Sequence, residues 1–263
     1  MAEQDPKELI FSGITIYYTD KNSTRAKKYF EKACELNDAE KCKKLAEFYF
    51  KANDLKKTLE YYSKSCKLND AKGCVCCQQH FMIGVIKGFK KDKKAFEYYS
   101  KACELNYGDG CAILGDIYHN GEGVTQNFKK AFEYYSKACE LNNGEGCSKL
   151  GGDYFLGESV TQDLKKALGY YSKACELNEA LTCTLVGEFY RDGEGVAKDL
   201  KKAFEYSAKA CELNDAKGCY ALAAFYNEGK GVAKDEKQTT KNLEKSCKLG
   251  LKEACDILKE QKQ

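Results

Sequence analysis

Apolar and small residues recur along this chain at helical spacing, and the pattern returns about every 36 residues. One series is read from Cys34, Cys66, Cys103, Cys139, Cys175, Cys211 and Cys247. Eight residues before them stand Ala26, Thr58, Ala95, Ala131, Ala167, Ala203 and Thr239. Five before them is Tyr from Tyr29 to Tyr206, with Asn242 the exception, and two after them is always Leu, from Leu36 to Leu249. Offsets of −8, −5, −4, −1 and +2 trace one face of a helix, so this whole set is expected to pack inward. A second series is read from Cys42, Cys74, Cys111, Cys147, Cys183, Cys219 and Cys255. Three after them stand Leu45, Cys77, Leu114, Leu150, Val186, Leu222 and Leu258. A small residue usually follows at +4 (Ala46, Gly115, Gly151, Gly187, Ala223) and an aromatic at +7 (Tyr49, Phe81, Tyr118, Tyr154, Tyr190, Tyr226). Each period therefore predicts two helices, with the small residues admitting a neighbouring backbone. A unit of that size cannot bury its own apolar face, and stacking of units supplies the core.

The joints are also legible. Gly121–Val124, Gly193–Val196 and Gly229–Val232 read Gly-x-Gly-Val, with Gly157–Val160 a variant. Glycine suits a left-handed helix end, and a following Asp or Asn opens the next helix. No strand precedes these loops and no Lys-Ser/Thr follows them, so they are not phosphate cradles. The other joint is a turn such as Leu213-Asn214-Asp215.

That second turn decides the cysteine chemistry. Fourteen of the sixteen cysteines form pairs eight residues apart. Eight residues along a helix would separate the Cα atoms by about 12 Å, and along a strand by about 26 Å. A disulfide needs roughly 4.4–6.8 Å. The pairs can close only because the chain reverses between their members. We therefore expect Cys34–Cys42, Cys66–Cys74, Cys103–Cys111, Cys139–Cys147, Cys175–Cys183, Cys211–Cys219 and Cys247–Cys255, each stapling the open end of a helical hairpin. Zinc sites favour shorter cysteine spacings, and free thiols would give no reason for the register. Disulfides imply an oxidising compartment, secreted or periplasmic. The polar start Met1–Pro6 is then read as a mature N-terminus after signal removal.

Composition adds mostly exclusions. Lys and Arg number 43 against 40 Asp and Glu, a net charge of +3 that argues against a nucleic-acid binder. No apolar run approaches the roughly 18 residues of a membrane span. One proline in 263 residues suits near-continuous helix.

Ala…Tyr-Tyr…Lys-Ala-Cys followed by Leu-Gly…Tyr…Gly-x-Gly-Val resembles the Sel-one-like repeat, a relative of the tetratricopeptide repeat. The Cys-x7-Cys addition is similar to the cysteine-rich proteins of Helicobacter. The resemblance implies an all-α, right-handed α/α superhelix, one solenoid domain over 1–263. Its repeats fall at about 5–38, 39–70, 71–107, 108–143, 144–179, 180–215 and 216–250, with a capping helix at 251–261. The second repeat lacks the glycine loop at Lys51–Asp54. The third carries Gln78 in the small slot and Val85–Phe89 in place of the loop, which predicts a local irregularity.

The family is described as penicillin-binding or weakly beta-lactam-hydrolysing, so the resemblance implies a beta-lactamase-type hydrolase as one reading. No serine here has Lys three residues on, as serine enzymes of that type require. Two histidines in different repeats make no metal site; His80 reads as packing and His119 as surface. No catalytic residue, metal or cofactor is assigned. The preferred reading is a monomeric, secreted binding module. By analogy with tetratricopeptide repeats, the second-cysteine helix would line a concave groove with offsets +1, +2, +5, +8 and +9. Lys44, Phe50, Met82, His119, Asn120, Lys149, Phe155, Arg191 and Asn227 are the candidates, because these slots vary while the packing slots do not. Such a mixture suits a peptide or protein ligand, with a host protein or a peptidoglycan fragment as the expected classes. A third reading is an assembly factor of an oxidising compartment, such as the mitochondrial intermembrane space. Cys76 and Cys77 remain as thiols, Cys77 in a buried Leu slot and Cys76 partly exposed.

Overall fold

In a computed structural model, residues 23–52, 54–76 and 93–260 are described. The sequence periodicity becomes helix throughout, and no strand occurs among these residues. Two units are compact in themselves, Met1–Asn127 and Phe128–Gln263. The first holds α1 Ser23–Glu35, α2 Ala39–Lys51, α3 Leu55–Lys67, a helical stretch α4 over 71–76, α5 Lys93–Glu104 and α6 Gly108–Asn120. The second holds α7 Phe128–Glu140, α8 Gly144–Leu156, α9 Leu164–Glu176, α10 Ala180–Asp192, α11 Leu200–Glu212, α12 Ala216–Glu228, α13 Glu236–Lys248 and α14 Lys252–Glu260. Consecutive helices within each unit pack antiparallel through short joints, an all-α solenoid of stacked hairpins.

The turn between bridged cysteines has one design. Asn37, Asn69, Asn106, Asn142, Asn178 and Asn214 all take positive φ, between 57° and 72°. Asparagine tolerates this left-handed state better than most residues. The Asn143 amide then reaches back to the Ala138 carbonyl at 3.0 Å, a Schellman-type closure. The next side chain opens the following helix: Asp38, Asn143 and Asp215 accept from the amides of Lys41, Gly146 and Gly218.

All seven expected disulfides are closed, with Cα separations of 4.4 to 4.8 Å. Each bridge lies beside the three-residue turn, from the last turn of one helix to the first turn of the next, and so staples one long-loop hairpin to its neighbour at their open ends. The chain reversal that brings the two cysteines together is the corner itself. Close approach there is helped by an Ala or Ser before the first cysteine of every pair and by a glycine before the second in four of them. A Cβ on Gly146 would come within 2.5 Å of the Ala138 Cβ, and one on Gly218 would crowd Ala210 equally.

The long joint is equally regular. Gly121, Gly157, Gly193 and Gly229 are left-handed and end their helices. The capping Asp54, Asp163, Asp199 and Asp235 start the next ones through the amides of Lys57, Lys166, Lys202 and Gln238. The backbone amides of these four aspartates bond the carbonyls of Tyr49, Tyr154, Tyr190 and Tyr226 at 2.8–3.0 Å, closing the loop on the aromatic at +7. The loop at Gly157 departs from this scheme: Ser159 stands where the others have a second glycine and does not take positive φ. Its hydroxyl donates to the carboxylate of buried Asp153 at 3.1 Å.

The inward face follows the sequence pattern at −8, −4 and −1: Ala131, Tyr135, Ala138, Ala167, Tyr171 and Ala174 are buried. The Leu at +2 does so only in part: Leu36 is 53 % exposed and Leu249 38 %, whereas Leu68 and Leu213 at the same helix end are half-buried against the core. The tyrosines at −5 are half-buried and stack on the aromatic at +7: Tyr61 on Tyr49 in the first unit, Tyr170 on Tyr154 and Tyr206 on Tyr190 in the second. Centroids lie 5.5–5.8 Å apart with nearly parallel rings. A lysine covers the +7 ring in each case, Lys57, Lys166 and Lys202, with Nζ about 5 Å from the centroid. The irregularity expected around Gln78 and Val85–Phe89, with Cys77 and His80, lies outside the described residues.

Candidate binding face

The candidate residues come from the second-cysteine helices, whose inward offsets +3, +4 and +7 are used for packing. The small residue at +4 is essential to that packing. A Cβ at Gly151 would meet the Tyr171 ring at 2.5 Å, whereas Gly187 faces the shorter Ser207. What remains on these helices is the non-packing face.

In the first unit, Lys44 and Phe50 lie on α2. Lys44 is half-buried and pairs with Glu40 at 3.3 Å; Phe50 is 40 % exposed. His119 and Asn120 lie at the end of α6 in a small polar network. His119 Nδ1 is 3.2 Å from Asn120 Oδ1, Asn120 Nδ2 donates to Glu122, and Gln126 donates to the His119 carbonyl. Met82 lies outside the described residues.

In the second unit, Lys149 and Phe155 belong to α8, Arg191 to α10 and Asn227 to α12. Lys149, Arg191 and Asn227 are exposed, and Phe155 is half-buried. The Phe155 ring packs at 5.9 Å against Phe189 of the next second helix, so it also joins neighbouring repeats. Helices α10 and α12 touch each other directly. Beside Phe155, Leu156 is 62 % exposed. Arg191 holds Asp192 through two hydrogen bonds of 2.9 and 2.7 Å. This contact raises the arginine further and holds the Asp192 carboxyl below its ordinary range.

Offset +1 has another use. Lys43 pairs with Asp70 at 3.2 Å, and Thr184 donates to Asp215 at 2.7 Å. Both partners precede the second-cysteine helix of the following repeat, so this slot ties repeats together there, and +2, +8 and +9 remain as the candidate face. Sequence reading also missed a lysine two residues before the first cysteine. Lys173 Nζ donates to the Cys139 carbonyl at 2.8 Å, and Lys245 does the same to Cys211. Lysine occupies that offset in every period, from Lys32 to Lys245, and this invariance within the chain was the available signal.

Cys76 belongs to none of the seven bridges and is half-buried beside Ala46 and Tyr62, where burial pushes its thiol up. Among the described residues no group of His, Cys, Asp and Glu could hold a metal ion, and no helix is long and apolar enough to cross a membrane. The seven bridges point to an oxidising compartment.

Comparison with known proteins agrees with the period. The Sel1 repeat model matches residues 9–38, 44–70, 80–107, 108–143, 144–179, 180–215 and 216–251. A Helicobacter pylori protein named "Putative beta-lactamase HcpC" is 47 % identical over 59 residues, which is 22 % of this chain and 20 % of that protein. The match thus spans about a fifth of the relative's length. A Sel1 repeat protein from Oxalobacter formigenes superposes with TM-score 0.85 at 22 % identity, covering 98 % of this chain and 77 % of that one. That likeness shows the fold. The protein c5321, described as a protective antigen of uropathogenic Escherichia coli, has TM-score 0.76 at 25 % identity over 87 % of this chain and 50 % of that one.

Proposed function

Because the chain belongs to the Sel1 repeat family, whose repeats typically mediate protein interactions, we propose that it binds an extended peptide or protein segment in a groove lined by the non-packing face of its second-cysteine helices. One observation carries the reading. On helices whose packing residues hardly change, the other slots, exposed or half-buried, differ from repeat to repeat. Lys149, Phe155 and Leu156 on α8 give way to Leu185, Arg191 and Asp192 on α10, then to Ala221, Asn227 and Glu228 on α12. Half-exposed aromatic and aliphatic surface beside amide and charged groups suits a peptide with alternating side chains. Arg191 would exchange Asp192 for a ligand carboxylate. The disulfide-rich chain would work outside the cytoplasm, secreted or periplasmic, where host proteins and cell-wall peptides are the available ligands. The test is capture with the oxidised protein, identification of the partner, and titration of Phe155, Arg191 and Asn227, all of the second unit, replaced together by Ala. Loss of affinity with unchanged helicity supports the reading; unchanged affinity ends it.

Beta-lactam binding with slow hydrolysis is the second reading, favoured by the name of the 47 % identical relative. No Ser-x-x-Lys occurs in the chain. Turnover of a chromogenic cephalosporin above that of a reduced, unfolded control would establish it.

A further inference from the structure

Six of the seven bridges are sealed: both cysteines of each are 3 % exposed or less. In Cys247–Cys255 both cysteines are partly exposed. This bridge also holds a thinly packed element, helix α14, and a short helix depends on tertiary support. Only Ala254 of α14 is buried; Leu251, Ile257 and Leu258 rest half-buried on Ala223 and Leu243. Its entry is weak too. The residue before it is Leu251, which has no side-chain acceptor to cap the first amides. The turn uses Gly250 at φ 99°, in open space, where the six other turns use asparagine. Without a bridge, little but a few half-buried side chains would keep α14 in place.

We propose that Cys247–Cys255 is the thiol-exchange site of this chain, and that it acts as a latch whose opening releases α14 from the preceding hairpin. The co-reactant is a small thiol. A thiolate attacks one cysteine sulfur, the S–S bond breaks, and the other cysteine leaves as a thiolate that takes a proton from water. A second thiol displaces the mixed disulfide. Two external thiols become one disulfide, and the bridge becomes two cysteine thiols. The sealed bridges cannot be approached in this way without prior opening of a helix corner.

The test uses the intact oxidised chain. Thiols outside the bridges are first blocked with N-ethylmaleimide, reduced glutathione is added at neutral pH, and newly released thiols are trapped with iodoacetamide and mapped by mass spectrometry. Cys247 and Cys255 are expected to label about tenfold faster than any other bridged cysteine. Amide exchange of residues 252–260 is expected to lose its protection in the same samples. The paired variant Cys247→Ser, Cys255→Ser should show that loss without reductant. The paired variant Cys175→Ser, Cys183→Ser, which opens a sealed corner, should leave residues 252–260 protected. Simultaneous reduction of the seven bridges, or earlier reduction of another, overturns the exchange site. Undiminished protection of residues 252–260 after reduction overturns the latch.

Discussion

At the scale of single residues, glycine has opposite meanings at two kinds of position. Gly146 exists because the corner is tight: its missing Cβ makes room for Ala138 and the Cys139 backbone. Gly146→Ala is expected to destabilise the chain by about 1–3 kcal/mol through overpacking. Gly169 lies in the exposed interior of α9 with nothing within 4 Å of an added Cβ. Gly169→Ala should stabilise by about 0.5–1 kcal/mol, since there only backbone entropy changes. Urea unfolding of both variants checks the contrast. Tyr99 and Tyr107 give a second residue-scale prediction. Burial pushes Tyr99 up to about 12, and burial with the Asp109 contact does the same for Tyr107. A raised folded value for an acid means that stability is intact below the ordinary value near 10 and falls as pH rises toward 12. Helicity should therefore decline between those limits, in step with tyrosinate absorbance.

At the scale of elements, joints and not helices carry the information. Each helix is short and amphipathic, and its ends are set by two or three residues. Asn178 sits at φ 72° and Asp199 caps α11. Asn178→Ala should cost about 1–2 kcal/mol by forcing a left-handed alanine, whereas Asn178→Gly should be close to neutral. Asp199→Ala should cost about 0.5–2 kcal/mol from the lost cap. Thermal melts of the three variants test the order. The Gly157 loop is the informative exception. Ser159 there lacks the positive φ of its glycine counterparts, and its hydroxyl bonds Asp153, the residue placed where α10 and α12 carry Phe189 and Phe225. Two departures visible in the sequence as unrelated oddities are one contact in the structure.

At the scale of the whole molecule, the bridges fall between repeats. Counted from the second-cysteine helix, each repeat closes through its long loop, and contact across that joint is the more extensive within each unit. The bridged corner joins one repeat to the next, where packing is thinner. On the loop-entropy account each bridge contributes about 2–3 kcal/mol, without simple addition. Complete reduction is therefore expected to uncouple repeats and to broaden the urea transition as well as lower its midpoint, read by far-ultraviolet circular dichroism. An equally sharp transition in the reduced chain would show that packing alone couples the repeats.

Residue spacing by itself determined the helices, the two kinds of joint, the cysteine partners and the family, because periodic packing leaves a periodic trace. Each of those features is local: a cap, a turn or a bridge involves residues within about ten positions. Only tertiary structure decided what meets across the period. The stack of Tyr170 on Tyr154 under Lys166 joins two helices across the long loop, while the reach of Lys173 to Cys139 and the tie of Thr184 to Asp215, the cap of α12, fasten one repeat to the next. Their columns stood in the sequence, yet a column does not say which neighbour it faces. Solvent access was also invisible there. Seven bridges with one spacing read alike, and stacking alone buries six of them and leaves Cys247–Cys255 within reach of water.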